Sequence, residues 1–300
     1  MKTKTYLFAL MAMAFTLGSC SDNENGIGSE TSKYITVSTS IGNMTRVATD
    51  ANGGQTFEEG DEISVYAWTG APTVAPETSE RVVNNAINKL TNGSWVSTPQ
   101  MLWKNNRDKH YFIGVYPTAA ISDLSAGEYT FDETKQVESD LLVAVNKDGL
   151  SYNVDEQQPV PLTFTHVMAK LVVNLTYKNQ WGGIPTVEKV VVGNAAKEAT
   201  INYLTKVVTP STTAKEDFSL PEITENTKYV SVIIPQEEVK QLTIVIGGKN
   251  FVYDNGTPFK LESGKITTVN LEVGRDEIKL GDVKITDWED GSTFSGEAIN

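Results

Sequence analysis

An alternation of apolar and polar residues, with a period of two, continues along most of this chain from Tyr34 onward. A β-strand with one buried face produces this pattern, because its successive side chains point to opposite faces of the sheet. The alternation is strictest in residues 166–177. The apolar positions there are Val167, Ala169, Leu171, Val173, Leu175 and Tyr177. The chain is therefore predicted to be all-β.

The same pattern marks eight further candidate strands. They are Tyr34–Ile41, Ile63–Trp68, Tyr111–Tyr116, Val160–Thr165, Val187–Val192, Tyr229–Ile234, Leu242–Ile246 and Ile266–Val273. Asn-Gly and Asp-Gly pairs between strands, such as Asn92-Gly93, accept the positive φ angles that tight turns need. Short antiparallel strands joined in this way predict β-sandwiches.

Residues Ser79–Leu90 fit two structures. Their apolar positions have helical spacing, and Ser79 is a suitable N-cap. The asparagines within the segment are poor helix formers, and the Asn92-Gly93 pair that follows is typical of a hairpin turn. We therefore predict a strand here.

The chain is long enough for two domains of ordinary size. Pro159 and Pro161 introduce a candidate strand that ends at Thr165, and the strictest alternation begins at His166. We predict an N-terminal β-sandwich over residues 34–165 and a C-terminal β-sandwich over residues 166–300.

The first residues have the features of a bacterial lipoprotein signal peptide. Lys2 and Lys4 precede an apolar run, Tyr6–Leu17, which is shorter than the roughly 20 residues that span a bilayer as a helix. The run ends in Leu17-Gly18-Ser19-Cys20, and Cys20 is the only cysteine. Residues 1–19 are therefore predicted to be removed and the Cys20 thiol to carry lipid, with two or three acyl chains giving a stable membrane anchor. The alternative is an ordinary secretory signal with a chance cysteine.

Residues 20–33 are polar and acidic and have no periodicity, so we expect a flexible tether. This acidic stretch resembles the surface-export signal of Bacteroides-type lipoproteins. A solvated spacer without an export role is the alternative.

The net charge of −13 argues against nucleic acid as a partner, since phosphate binding needs clustered Lys and Arg. With Cys20 lipidated, the chain has no thiol for a disulfide, a nucleophile or a metal site.

The two histidines, His110 and His166, alternate with apolar residues and fit hydrogen-bonded core positions better than metal or catalytic roles. The acidic run Glu58–Glu62 is interpreted as a turn rather than as a hydrolytic or calcium site. We predict no enzyme activity and no cofactor.

The five tryptophans allow a second function. Exposed tryptophans on a β-sandwich stack on sugar rings, so a solvent-facing pair would indicate a surface glycan-binding lipoprotein. Core packing is the more common role of tryptophan on strands.

Several motifs, in order, resemble those of the fimbrillin-like family of Bacteroides-type bacteria, the subunits of type V pili. They are Cys20, Met44-Thr45-Arg46, Phe57–Tyr66, Trp103, His110–Pro117, Asp140-Leu141-Leu142, Leu162–Leu171 and Ile285-Thr286-Asp287-Trp288. The resemblance implies two transthyretin-like β-sandwiches in tandem, exported as a lipoprotein and assembled into a fimbrium at the outer membrane. Its partners would be other pilin subunits, with a host or bacterial surface ligand as a further option.

The resemblance also implies a mechanism. In such pilins an arginine-specific, trypsin-like protease cuts after an arginine beyond the first strand, and Arg46 is the matching position. Loss of Tyr34–Ile41 would uncover an apolar groove with unpaired backbone groups. A strand from the next subunit would fill that groove by β-augmentation, and such head-to-tail contacts propagate as a fibre. The alternative for Arg46 is a solvated loop residue that is never cut.

The segment Trp288–Asn300 is the expected donor strand, but it offers few large apolar residues besides Phe294 and Ile299. This composition predicts a weak donor and favours a tip or accessory subunit over a stalk subunit.

Overall fold

The computed structural model describes residues 34–42, 56–153, 158–254 and 256–288. The predicted signal peptide, tether, lipid site Cys20 and processing site Arg46 lie outside these residues. The described residues form nineteen β-strands and two 3-10 helices, Thr78–Glu80 and Asn179–Trp181. The all-β prediction is confirmed.

Eight strands precede the predicted domain boundary. They are β1 (Val37–Ile41), β2 (Glu62–Thr69), β3 (Val83–Thr91), β4 (Ser94–Thr98), β5 (His110–Tyr116), β6 (Gly127–Thr130), β7 (Leu142–Leu150) and β8 (Val160–His166). All but β6 belong to a seven-stranded sheet with the order β1-β8-β7-β5-β2-β3-β4. Strands β1 and β4 therefore form the two edges of this sheet.

Eleven strands follow that boundary. They are β9 (Ala169–Tyr177), β10 (Val187–Ala196), β11 (Glu198–Asn202), β12 (Val207–Pro210), β13 (Lys215–Leu220), β14 (Glu222–Thr224), β15 (Lys228–Ile233), β16 (Gln241–Ile246), β17 (Lys249–Asp254), β18 (Lys265–Val273) and β19 (Ile278–Asp287). They build a five-stranded sheet, β14-β15-β9-β18-β19, and a four-stranded sheet, β13-β10-β16-β17. Apolar side chains of both sheets share one core, as a β-sandwich requires.

A three-stranded sheet, β12-β11-β6, joins the two halves of the chain. Strand β6 of this sheet comes from the N-terminal half of the chain, and its Tyr129 pairs with Ala199 of β11. The larger core likewise combines Tyr66 and Val115 with Tyr203 from the turn between β11 and β12. The division at residues 165 and 166 falls at the end of β8, and two separate domains stay a prediction.

Both faces of the seven-stranded sheet are covered, which explains why β2 is buried along nearly its whole length. Alternate residues such as Tyr66 and Trp68 enter the larger core. The other face packs in a second cluster, here named the N-terminal core. Its members are Ile35, Val37, Ile41, Ile63, Val65, Ala67, Val83, Ala86, Met101, Phe112, Leu142, Ala144, Val160, Leu162 and Phe164.

The sheets are antiparallel except at two strand pairs, β1 with β8 and β9 with β18. Period-two alternation is the same in parallel and antiparallel strands, so the sequence pattern does not distinguish them. Parallel neighbours need a long connection, and the chain between β1 and β8 supplies one.

Residues 83–90 of the segment Ser79–Leu90 lie in a strand, as predicted, whereas Ser79 and Glu80 belong to the first 3-10 helix. Strand β3 pairs with β4 from Ile87↔Thr98 to Thr91↔Ser94. The connecting residues Asn92 and Gly93 have φ angles of 51° and 72°, which are those of a tight hairpin turn. Among the described residues, neither of the two short helices has the length or apolar character to cross a membrane.

Candidate functional site

The first strand pairs with a neighbouring strand along one side only. Strand β1 runs parallel to β8, from Val37↔Val160 to Ile41↔Phe164. The bonds at its ends are Val160 N–H to Thr36 O and Gly42 N–H to Phe164 O, both 2.8 Å long. Its other edge has no neighbouring strand in the seven-stranded sheet. An edge strand of this kind presents unpaired backbone N–H and C=O groups on its free side.

The inward side chains of this segment cover the N-terminal core. Ile35, Val37 and Ile41 are 2%, 6% and 8% exposed, whereas Thr36, Ser38 and Ser40 between them face solvent. Full burial of an aliphatic side chain of this size is worth about 1.5–3 kcal/mol. Removal of the strand would therefore expose the apolar partners of these side chains, which include Leu162 and Phe164 of β8.

One inward position of β1 is polar. Thr39 lies between Val37 and Ile41 in the inward row, and its Oγ1 accepts a hydrogen bond from the indole Nε1–H of Trp95 at 3.0 Å. Trp95 belongs to β4, the opposite edge of the same sheet. A bridge between Tyr34 and Leu102 and a bond from Ile35 N–H to Met101 O connect the residues just before β1 with residues that follow β4. The sheet therefore curls round the N-terminal core.

Phe57 closes the end of the groove that β1 fills. Its ring makes edge contacts with Trp95, Tyr116 and Phe164 at centroid distances of 5.3, 5.3 and 5.1 Å. Gly42, on the other side of the undescribed residues 43–55, bonds to the carbonyl of the same Phe164. Both ends of the segment that contains Arg46 therefore meet at one residue of β8.

The acidic run after Phe57 forms a turn, as predicted. The Asp61 carboxylate accepts the Glu58 N–H at 2.7 Å, and the Glu59 carboxylate accepts the Asn92 N–H at 2.7 Å. Glu62 forms an ion pair with Lys89. Burial and the neighbouring Asp61 carboxylate raise the pKa of Tyr116 to about 12. The acidic side chains stabilise this turn, and no group of three or more His, Cys, Asp or Glu residues suited to a metal ion occurs within the described ranges.

His110 is a core residue, as predicted. It is fully buried, its Nε2 accepts the Lys104 N–H at 3.1 Å, and its Nδ1 lies 3.1 Å from the Asp108 carbonyl oxygen. Burial lowers the pKa of this imidazole. The neutral tautomer that carries its hydrogen on Nδ1 satisfies both bonds, so His110 supports the loop before β5.

His166 belongs to a buried cluster at the junction between β8 and β9. Its Nδ1 lies 2.8 Å from Asp140 Oδ1, and its ring stacks on Trp288. The Lys170 ammonium group lies 5.1 Å from the centre of the Trp288 ring. Lys170 is only 1% exposed, and this burial lowers its pKa to about 8. The cluster fixes the end of β19 and offers no open site for a substrate.

The tryptophans do not form a carbohydrate platform. Trp68 is 1% exposed, and the other four are half-buried and pack against one of the two cores. Trp181 donates its indole N–H to Val273 O, as Trp95 does to Thr39. Across the part of the chain that the structure describes, no two tryptophan rings stack on each other. This arrangement gives the glycan-binding alternative no support.

Sequence reasoning missed two residues of the groove. Trp95 and Phe57 were not predicted to contact the first strand, because nothing in the alternation pattern specifies which strands lie across a curled sheet. The sequence does indicate that Thr39 has a hydrogen-bond partner, because a hydroxyl group in an otherwise apolar inward row needs one when it is buried.

The described residues thus form an all-β fold whose first strand lies at a sheet edge and covers part of the N-terminal core. No curated protein matches the chain. The sequence model of the fimbrillin-like family matches residues 45–288. The chain therefore belongs to the fimbrillin-like family, whose members are structural subunits of fimbriae and adhesins rather than enzymes. Family membership places the protein at the cell surface.

Solved structures of proteins from Bacteroides and Porphyromonas species have a similar fold. A candidate cell adhesion protein from Bacteroides ovatus is 18% identical, with a TM-score of 0.62 over 86% of this chain and 98% of that chain. A fimbrial protein from Bacteroides vulgatus is 12% identical, with a TM-score of 0.52 and coverage of 85% and 99%. The tip fimbrial protein Mfa3 from Porphyromonas gingivalis, truncated at its C-terminus, is 11% identical, with a TM-score of 0.50 and coverage of 77% and 95%. At these identities the similarity is one of fold.

Proposed function

We propose that this protein is a fimbrial subunit, exported as an outer-membrane lipoprotein and polymerised by protease-triggered strand exchange. The observation that carries the proposal is the position of β1. It pairs with a single strand, and its buried side chains cover a core that would be exposed without it.

In the proposed pathway, residues 1–19 direct export and Cys20 carries the lipid. Residues 20–33 then connect the lipid to the folded chain, whose first described residue is Tyr34. Because β1 follows this tether directly, a cut beyond β1 separates the lipid and the strand from the rest of the chain in one step.

Cleavage after Arg46 is favoured by the way the other three arginines are held. The Arg81 guanidinium is buried and donates to the carbonyls of Ile121 and Ser122. The Arg107 N–H bonds to the Asn105 side chain within a tight turn. Arg275 is fixed on both sides, by Gln180 at its N–H and by Lys249 at its carbonyl. A protease needs an extended, accessible backbone, so the buried Arg81 is a poor substrate, and the backbone hydrogen bonds at the exposed Arg107 and Arg275 oppose the extended conformation that cleavage requires.

After release of β1, the backbone groups of β8 and the apolar floor of the groove would accept a strand from another subunit. The terminal segment of a neighbouring subunit is the proposed donor. In this chain that segment is poor in large apolar residues beyond Phe294 and Ile299, which supports a tip or accessory role. The two-domain division at residues 165 and 166 is part of the same proposal.

Limited proteolysis with an arginine-specific protease tests this function. We expect one early cut, at Arg46, after which the cut protein takes up the strand of another added fimbrial subunit and elutes as a larger complex in size-exclusion chromatography. The control Arg46→Gln should stay uncut and monomeric under the same conditions. Complete cleavage at Arg46 that leaves a persistent monomer able to bind polysaccharide would favour the glycan-binding function instead.

A further inference from the structure

We infer that the groove under β1 selects its incoming strand through one hydroxyl group, which Trp95 recognises. The inference rests on the proposed strand exchange and adds the chemical class of strand that the groove accepts. That class has aliphatic residues at the first, second and fourth inward positions and Ser or Thr at the third.

The side chains of β1 and of Ile35, just before it, define the four positions. Ile35, Val37 and Ile41 occupy apolar sites and are nearly fully buried. Thr39 occupies the site between Val37 and Ile41, where its hydroxyl accepts the Trp95 indole N–H at 3.0 Å. The three apolar sites provide binding energy without distinguishing among aliphatic strands. The polar position, occupied by Thr39, distinguishes a strand that carries a hydroxyl group there from one that does not.

Trp95 cannot turn away easily when the occupant changes. Its ring is half-buried, packs against the N-terminal core and makes an edge contact with Phe57 at 5.3 Å. An indole N–H is a donor only, so an occupant without an oxygen at this position leaves it unsatisfied. Leaving a donor unpaired at a partly buried site costs more than the net value of the bond that was lost.

The parallel pairing with β8 fixes the order in which the sites are met. In the orientation of β1, the residue with the hydroxyl group, Thr39, lies opposite Leu162. The last inward residue, Ile41, lies opposite Phe164. A strand with Val or Ile at the position of Thr39 would place a methyl group against the indole nitrogen. Such a strand would be rejected in favour of one with Ser or Thr, even though its apolar content is higher.

The terminal segment of this chain does not fit the pattern. Neither set of alternating residues after Trp288 has aliphatic side chains at three positions with a hydroxyl group between the last two. The groove is therefore matched to a strand of another subunit type that carries the pattern.

A double-mutant cycle on the cut protein tests the inference. The mature chain with Cys20→Ser, which removes lipid attachment, is cleaved at Arg46 and mixed with fluorescent peptides of the sequence of residues 34–42. The peptides carry Thr, Ser or Val at position 39, and their affinity is measured by fluorescence anisotropy on the parent protein and on Trp95→Phe.

On the parent protein we expect the Thr39→Ser peptide to bind like the unchanged peptide and the Thr39→Val peptide to bind about fivefold to tenfold more weakly. On Trp95→Phe that difference should disappear. Equal binding of the Thr and Val peptides to the parent protein would overturn the inference while leaving strand uptake intact. Failure of every peptide to bind would overturn strand exchange as well. Should Trp95→Phe fail to fold, the peptide series on the parent protein decides alone.

Discussion

The Trp288 indole ring lies parallel to the His166 imidazole, with ring centroids 4.0 Å apart and an angle of 5° between the ring planes. The backbone N–H of Trp288 also donates to the backbone carbonyl oxygen of Gly264 at 3.1 Å. His166 ends β8, so this stacking joins the end of the last strand to the boundary between the two halves of the chain. Trp288, the last described residue, is therefore held in a fixed position.

Replacement of Trp288 should destabilise the protein without disturbing β1. Trp288→Ala removes the stacking on His166 and the contact with the Lys170 ammonium group, and we expect a loss of about 2–3 kcal/mol in the free energy of unfolding. Urea denaturation measures this loss. Val283→Ala, on strand β19 just before Trp288 and 39% exposed, is the matched control and should change the free energy by less than about 0.5 kcal/mol. Equal effects of the two changes would show that the stacking contributes little.

The buried Lys170 should make stability depend on pH in the alkaline range. Its pKa is lowered from 10.5 to about 8 in the fold, mainly by burial and against the opposing effect of Asp140. Between these pH values the unfolded chain binds more protons than the folded chain, so stability rises with pH. From about pH 8 to about pH 9.5, the parent protein should gain about 1–2 kcal/mol relative to Lys170→Met.

Above pH 10 two buried tyrosines change stability in the opposite direction, in the parent protein and in Lys170→Met alike. Burial raises the pKa values of Tyr116 and Tyr203 to about 12. Above pH 10 the unfolded chain therefore loses tyrosine protons that the folded chain keeps, and stability falls. Chemical denaturation at several pH values measures the effect of Lys170. Parallel pH profiles for the parent and Lys170→Met would contradict the prediction.

The two faces of β1 should respond differently to the same substitution. Val37→Asn places an amide in the N-terminal core and should cost about 2–3 kcal/mol of stability. Ser38→Asn, one residue away on the exposed face, should cost less than about 0.5 kcal/mol. Urea denaturation of the two variants makes the comparison. Similar losses would mean that β1 does not cover the core in solution.

Much of the fold could be predicted from local pattern. The alternation in residues 166–177 gives β9, and Asn92-Gly93 with its flanking residues gives the hairpin of β3 and β4. These features depend on neighbours in the sequence and on the period of the side chains. The role of His110 as a hydrogen-bonded core residue follows from the same alternation.

The pairing of distant strands could not be predicted in this way. The parallel contact between β1 and β8, and that of β6 with β11 across the two halves, depend on which edges meet after the sheets twist and curl. Likewise, Trp95 reaches Thr39 and Trp288 reaches His166 only because the chain brings remote segments together. Alternation tells which face of a strand is buried but not what covers it.

A reversible disulfide between β1 and β8 tests the central claim most directly. The hydroxyl oxygens of Ser40 and Thr163 lie 3.2 Å apart on neighbouring strands, so Ser40→Cys with Thr163→Cys brings two thiols within bonding reach. Cys20→Ser removes the only native cysteine. The protein is cleaved at Arg46 in its oxidised form and divided into two samples, one of which is reduced. Uptake of a fluorescent peptide of residues 34–42 should occur in the reduced sample and be absent in the oxidised one. Equal uptake in both samples, or none after reduction, would contradict the release of β1 as the step that opens the groove.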